Sequence, residues 1–108
     1  MQNLESPQEL DSALQAPLAV VLKYSTTCPI SANARREIAS FEAGHPDQTV
    51  YGIDVHRARE LSGALAGRLG VEHESPQLFV LRDGAPVYTA THWNIAAGDL
   101  AKELVGAR

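Results

Sequence analysis

The stretch LAVVLKYSTTCPIS, residues 18–31, decides the fold class of this chain. Its first six residues are strand formers and largely apolar on both faces, a pattern that is typical of a buried central strand. Small polar residues follow, and Cys28 then precedes Pro29, which suits the first position of a helix. The stretch therefore predicts a central strand that leads into a helix, with the one cysteine of the chain at the start of that helix.

Capping and turn residues divide the rest of the chain into further elements. Ser6, Pro7 and Glu9 have the spacing of a capping box, with proline at the first helical position. Gly70 ends a later helix, and Asp83-Gly84 predicts a tight hairpin. The predicted elements are helices over about 6–16, 28–44, 58–69 and 96–105, and strands over 18–23, 49–55, 77–82 and 85–91.

The order of these elements indicates the topology. The first strand, helix and strand predict a right-handed crossover between parallel strands, and the closing hairpin is antiparallel. Other small α/β folds share parts of this order, but the positions of Cys28 and Pro76 favour one of them. We therefore predict an α/β, thioredoxin-like fold in a single domain, residues 1–108, with a mixed four-stranded sheet flanked by helices.

Composition restricts the possible partners and location. The net charge is −4 and no cluster of Lys and Arg is present, so we expect no nucleic acid partner. The longest apolar run, residues 17–22, is far shorter than a membrane span, so we expect no membrane partner either. The first ten residues do not resemble a signal peptide, which makes the cytoplasm the expected location. A lone cysteine cannot form an internal disulfide or a metal site by itself, so we expect no metal and no permanently bound cofactor.

Cys28 is the candidate catalytic residue. At a helix start, unpaired N–H groups and the helix dipole favour the thiolate over the thiol, and the thiolate is the nucleophile in disulfide exchange. The alternative is that Cys28 is a small buried hydrophobic residue. Its neighbours Ser25, Thr26, Thr27 and Ser31 are small and polar, which favours an exposed and reactive thiol.

Cys28 and Ser31 form a C-x-x-S motif. The Ser31 hydroxyl either donates a hydrogen bond to the Cys28 thiolate or is a solvated residue of the first helical turn. Without a second cysteine, an external thiol must resolve any disulfide that Cys28 forms.

Two further segments are predicted at the same end of the sheet. Ser75-Pro76 begins the strand that is antiparallel to the one ending near Cys28, and we expect a cis bond there, which frees the preceding backbone to bind an extended substrate. The next strand returns to this end at His92-Trp93-Asn94. We expect His92 to transfer a proton or bind an acidic group, Trp93 to form an apolar wall and Asn94 to cap the last helix, whose N-terminus could receive a carboxylate. The alternatives are that Trp93 packs at the edge of the fold and that Asn94 is a helix cap only.

Lys23 and the His56-Arg57 pair also follow strands at this end of the sheet. Lys23 either attracts an anionic thiol or is solvated, and the same alternatives apply to His56-Arg57. His45 and His73 are expected to be loop residues.

Three segments carry a family resemblance: KYSTTCPISANA (23–34), GVEHESPQ (70–77) and ATHWNI (90–95). Together they resemble the YtxJ-type monothiol bacilliredoxins, and the resemblance spans about residues 17–104. It implies a thioredoxin fold and thiol–disulfide exchange with bacillithiol, a small thiol with a dicarboxylate malate moiety, as co-substrate. The implied partners are bacillithiolated proteins, with bacillithiol or a partner redoxin as the resolving thiol. The substrate-binding residues implied are Lys23, Thr27, Pro29, Ser75, Pro76, His92, Trp93 and Asn94.

The sequence leaves two other functions open. The first is an iron–sulfur cluster carrier, in which two protomers each supply Cys28, as proposed for monothiol glutaredoxins. Pro29 and Ile30 differ from the Gly-Phe of those proteins, which argues against it. The second is a non-catalytic thioredoxin-like adaptor in which Cys28 is inert.

Overall fold

A computed structural model describes residues 1–108, and its elements follow the predicted order with one addition. The additional element is a short strand before the first helix. The elements are β1 (Gln2–Asn3), α1 (Pro7–Leu14), β2 (Leu18–Tyr24), α2 (Pro29–Gly44), β3 (Val50–Asp54), α3 (Arg59–Leu69), β4 (Gln77–Arg82), β5 (Ala85–Thr91) and α4 (Ala97–Ala107), with a 3₁₀ turn (His92–Asn94) between β5 and α4.

The sheet has five strands in the order β1-β3-β2-β4-β5, so the prediction of four strands is wrong by one. Asn3 pairs in parallel with Gly52 at the outer side of β3. Gly52 leaves room for the Asn3 side chain, because a Cβ at position 52 would lie 2.6 Å from Asn3 Oδ1 and would require that side chain to shift. A two-residue strand is too short to show an alternating pattern, which is why the sequence does not reveal it. The predicted parallel β2–β3 pair and antiparallel β2–β4 and β4–β5 pairs are confirmed.

The local signals that predicted the element boundaries are present as hydrogen bonds and dihedral angles. Ser6 Oγ accepts a hydrogen bond from the backbone N–H of Glu9 at 3.2 Å and caps α1. Gly70 ends α3 in the left-handed conformation with φ of 65°. Asp83 and Gly84 both have positive φ, as a two-residue hairpin of type I′ requires.

Alternating residues of β2 face two separate cores, one on each side of the sheet. Val20, Leu22 and Tyr24 pack with α2 and α4, while Ala19 and Val21 pack with α1 and α3. Because side chains alternate along a strand, Lys23 leaves β2 on the same face as Val21. Burial of each large apolar side chain stabilises the fold by ~1.5–3 kcal/mol. The two cores thus hold the C-terminal end of β2, and with it the loop that carries Cys28. No helix is both long and apolar enough to cross a bilayer.

Candidate active site

Cys28 lies at the N-cap of α2 and is partly exposed. Its carbonyl accepts the first hydrogen bond of the helix from Ala32 N–H at 3.0 Å, and Pro29 occupies the first helical turn. The thiol makes no capping hydrogen bond. The sulfur therefore sits at the positive end of a 16-residue helix and is open to an incoming disulfide.

Hydrogen bonds fasten the loop before Cys28 to the first turn of α2. Ser25 N–H donates to Ser31 Oγ at 3.0 Å, and Thr27 N–H donates to Ser25 Oγ at 3.2 Å. Ser31 is fully buried, which excludes the alternative that it is a solvated residue of the first turn. Its hydroxyl oxygen binds the backbone of the loop and forms no hydrogen bond to the thiol, so the structure gives Ser31 a role in holding the loop. Thr27 is exposed beside the sulfur-bearing residue.

The Ser75-Pro76 segment lies at the same end of the sheet as Cys28. Gln77 is opposite Lys23 in the antiparallel β2–β4 pair, which places Pro76 level with the end of β2. The Ser75–Pro76 peptide bond is cis, as predicted. Ser75 Oγ is buried and has no hydrogen-bond partner.

The segment after β5 is tied to this proline loop. His92 N–H donates to the Pro76 carbonyl at 3.0 Å, and His92 Nε2 lies 3.7 Å from Glu74 Oε2. His92 has φ of 54°, which turns the chain out of the strand. Trp93 is 64% exposed, a high value for so large an apolar side chain. The turn thus presents an indole surface next to the cis-proline loop.

The start of α4 differs from the prediction. Its N-cap residue is Ala96, and no side chain of the turn caps it, so the expectation that Asn94 caps this helix is wrong. Glu37 of α2 accepts the Ala97 N–H at 3.0 Å instead. The carboxylate of Glu37 therefore already binds the N-terminus of α4. This is the position at which we expected a carboxylate of the substrate to bind. Asn94 itself is exposed.

Lys23 is fully buried, which excludes the alternative that it is solvated. Its Nζ lies 2.6 Å from His73 Nδ1. Burial lowers the pKa of Lys23 to about 8, and the nearby carboxylate of Glu74 opposes this shift. The side chain leaves the sheet on the face away from α2, so it supports the loop before Pro76 through His73.

His73 is the residue that sequence reasoning missed. An ammonium group can only donate, so His73 Nδ1 accepts from Lys23 and the ring proton is on Nε2. Desolvation lowers the pKa of His73, and the charge of Lys23 lowers it further. A lysine in a strand that is buried on both faces requires a polar partner, and this requirement could have indicated a residue such as His73 from the sequence.

Four of the predicted residues therefore lie at one end of the sheet, namely Thr27, Cys28, Pro76 and Trp93. Lys23 lies on the face of the sheet opposite to α2. A partly exposed thiol at a helix N-terminus can attack a disulfide, and the neighbouring loop and indole offer a surface to the group attached to it. The structure contains no cluster of three or more His, Cys, Asp or Glu side chains that could hold a metal ion.

Comparisons with known proteins agree with this geometry. Residues 2–100 match the family described as monothiol bacilliredoxin BrxC. A solved thioredoxin-fold protein, described as a suspected oxidoreductase, is 34% identical with a TM-score of 0.87, and the match covers 94% of this chain and 90% of that one.

More distant structures share the fold alone. Mitochondrial thioredoxin 3 from Saccharomyces cerevisiae is 14% identical with a TM-score of 0.77, over 98% of this chain and 94% of that one. Thioredoxin from Fasciola hepatica is 16% identical with a TM-score of 0.76 over the full length of both chains. The predicted thioredoxin-like fold is confirmed, and the chain belongs to the monothiol bacilliredoxin family of thioredoxin-fold oxidoreductases.

Proposed function

We propose that this protein removes bacillithiol from protein mixed disulfides by thiol–disulfide exchange at Cys28. The observation that carries the proposal is a partly exposed thiol at the N-cap of α2 in a chain with no second cysteine. Such a thiol forms a disulfide only with a sulfur from another molecule. Membership of the bacilliredoxin family supports bacillithiol as that molecule.

The reaction consists of two thiol–disulfide exchanges, after which Cys28 is again a thiolate. The Cys28 thiolate attacks the bacillithiol sulfur of a protein–bacillithiol disulfide, and the repaired protein leaves as a thiolate that takes a proton from water. Cys28 is then linked to bacillithiol. A second thiol, either free bacillithiol or a partner redoxin, attacks the bacillithiol sulfur and releases the Cys28 thiolate. The resolving thiol and bacillithiol leave as one disulfide. We assign this chemistry to the cytoplasm, where thiols are kept reduced.

The residues around Cys28 support binding of a disulfide-linked substrate. In this proposal Thr27 and Pro29 contact the group bonded to the sulfur, and the backbone at Ser75-Pro76 binds an extended segment of the target protein. Trp93, which is 64% exposed, covers the apolar part of the substrate. The two flanking polar residues, His92 and Asn94, complete this surface. Lys23 takes no direct part, because it is fully buried on the other face of the sheet.

The experiment is a transfer assay followed by intact-protein mass spectrometry. The reduced protein is mixed with a bacillithiolated target, and we expect the mass of one bacillithiol to move from the target to this chain. The Cys28→Ser variant, the matched control, is expected to receive none. Equal transfer by Cys28→Ser would disprove the mechanism. Equal rates with glutathionylated and bacillithiolated targets would disprove the assignment of the co-substrate.

A further inference from the structure

A cleft that does not include Cys28 opens on the face of the sheet covered by α3, away from α2. It has a volume of about 510 Å³ and lies between the start of α3 and the loop that leads to β4. This volume is within the range of small-molecule sites. The lining residues are Val55, His56, Arg59, Ser62, Gly63 and His73.

The lining of this cleft is basic, with no acidic side chain among its members. Arg59 is exposed at the first position of α3 and forms no ion pair. The ammonium of Lys23 lies behind His73, at 2.6 Å from its ring. Glu74, the carboxylate whose charge acts on both Lys23 and His73, does not line the cleft and lies 3.7 Å from His92. The lining itself therefore contains the Arg59 guanidinium and no carboxylate.

Two polar side chains of this cleft can each donate a hydrogen bond to a ligand. His73 Nδ1 has one lone pair, and Lys23 occupies it, so Nε2–H is the donor that the ring has left. Ser62 is only 3% exposed, and its hydroxyl lies 3.3 Å from that same, already occupied Nδ1. The Ser62 hydroxyl therefore competes with the Lys23 ammonium for one lone pair, and it can turn its proton to a ligand instead. A buried donor of this kind is stabilised when a ligand supplies the acceptor.

The arrangement of these donors on α3 suits an oxyanion. Arg59, Ser62 and Gly63 are three and four residues apart, so they lie on one face of the helix. The N-cap residue Ala58 supplies no capping side chain, and Arg59, the first residue of the 11-residue helix, lines the cleft, so the positive end of the helix adjoins it. A guanidinium fork pairs with the two oxygens of a carboxylate or phosphate group.

We propose that this cleft binds the carboxylate or phosphate group of a small molecule, held by the Arg59 guanidinium, the Ser62 hydroxyl and His73 Nε2–H. Cys28 does not line this cleft, and occupancy of the cleft does not require the thiol. Lys23 is a positioning residue here, because it fixes the proton of His73 on Nε2 and so directs a donor toward the ligand.

NMR titration of the full chain tests the site. Sodium phosphate and sodium malate are added in separate titrations at constant ionic strength, with sodium chloride as the reference salt. We expect saturable shifts of the backbone and ring signals of His56, Ser62, Gly63 and His73. The salt with the lower Kd identifies the group that the site prefers, phosphate or carboxylate. Shifts that grow without saturation, or that chloride reproduces, would overturn the proposal.

A pair of arginine variants supplies the matched control. Arg59→Gln is expected to raise the Kd about tenfold, the effect of losing one charge-assisted pair of about 1.4 kcal/mol. Arg36→Gln, which removes an exposed arginine of α2 that does not line the cleft, is expected to leave the Kd unchanged. Both arginines are exposed, so both variants should fold. Equal Kd values for the two variants would show that only the net charge attracts the anion, and would overturn the site.

Discussion

Replacing Lys23 with methionine tests whether a charged lysine is buried in this fold. Methionine is unbranched like lysine and only one heavy atom shorter, and it removes the charge. The wild-type ammonium is fully buried, and its burial lowers its pKa from the ordinary 10.5 to about 8. The unfolded chain keeps the ordinary value. The free energy of unfolding of the wild type should therefore depend on pH in a way that the Lys23→Met variant does not.

The sign and size of this dependence follow from proton linkage. Below about pH 8 the lysine is charged in both states, and the folded state carries the full penalty of burying the charge. Between about 8 and 10.5 the folded protein loses the proton while the unfolded chain retains it, so stability rises with pH. The separation of the two pKa values corresponds to about 3 kcal/mol. The wild type should gain this amount relative to Lys23→Met across that pH range.

Urea unfolding followed by circular dichroism, in reducing buffer from about pH 7 to about pH 10.5, measures the effect. The informative quantity is the difference between wild type and variant, because other titrating groups occur in both chains. Tyr88, for example, has a raised pKa from desolvation and from Asp99 and Glu103, and its contribution cancels in the difference. A difference that stays constant over the range would refute the reasoning.

Three further substitutions test the contacts of the site. Ser31→Ala should lower the free energy of unfolding by ~1–3 kcal/mol, because the buried N–H of Ser25 loses the hydroxyl that accepts its hydrogen bond. Urea unfolding measures this loss. Glu37→Ala should lower the free energy of unfolding by ~1 kcal/mol, because the Ala97 N–H loses its cap, and Glu37→Gln should lose less. Trp93→Ala should change stability by less than ~0.5 kcal/mol, as expected for a 64% exposed side chain, but should raise the KM for a bacillithiolated target in the transfer assay.

Each of these predictions has a control and an opposing outcome. Ser40→Ala, at an exposed position of α2, should be neutral, and an equal loss for both serine variants would contradict the role of Ser31. Equal stability of the two Glu37 variants would contradict capping by its side chain. An unchanged KM for Trp93→Ala would remove the indole from the substrate surface.

The parts of the structure that sequence reasoning predicted depend on local signals. The Cys28-Pro29 pair fixes the start of α2, and Asp83-Gly84 fixes the hairpin, because each needs only its immediate neighbours. The position of Pro76 beside the end of β2 followed from topology, since antiparallel strands bring the start of one to the end of the other.

The missed features are contacts between residues distant in sequence. Glu37 and Ala97 are 60 residues apart, and Lys23 and His73 are 50 apart. No periodicity or capping pattern links such pairs. They depend on the separation of packed helices and on the depth at which a side chain is buried, which only the folded chain determines. The same limit applies to β1, whose two residues pair with a strand about 50 positions away.

The two outer strands of the sheet have a consequence for how this protein behaves at high concentration. An exposed strand with an unbroken row of N–H and C=O groups recruits strands from other molecules, and the products are aggregates. Here β1 offers only two residues, and β5 carries Pro86, which lacks an N–H, beside an irregularity in its pairing with β4. Neither outer strand can readily pair with a strand of another molecule. Pairing between strands of different molecules therefore competes little with encounters at the end of the sheet where the sulfur lies.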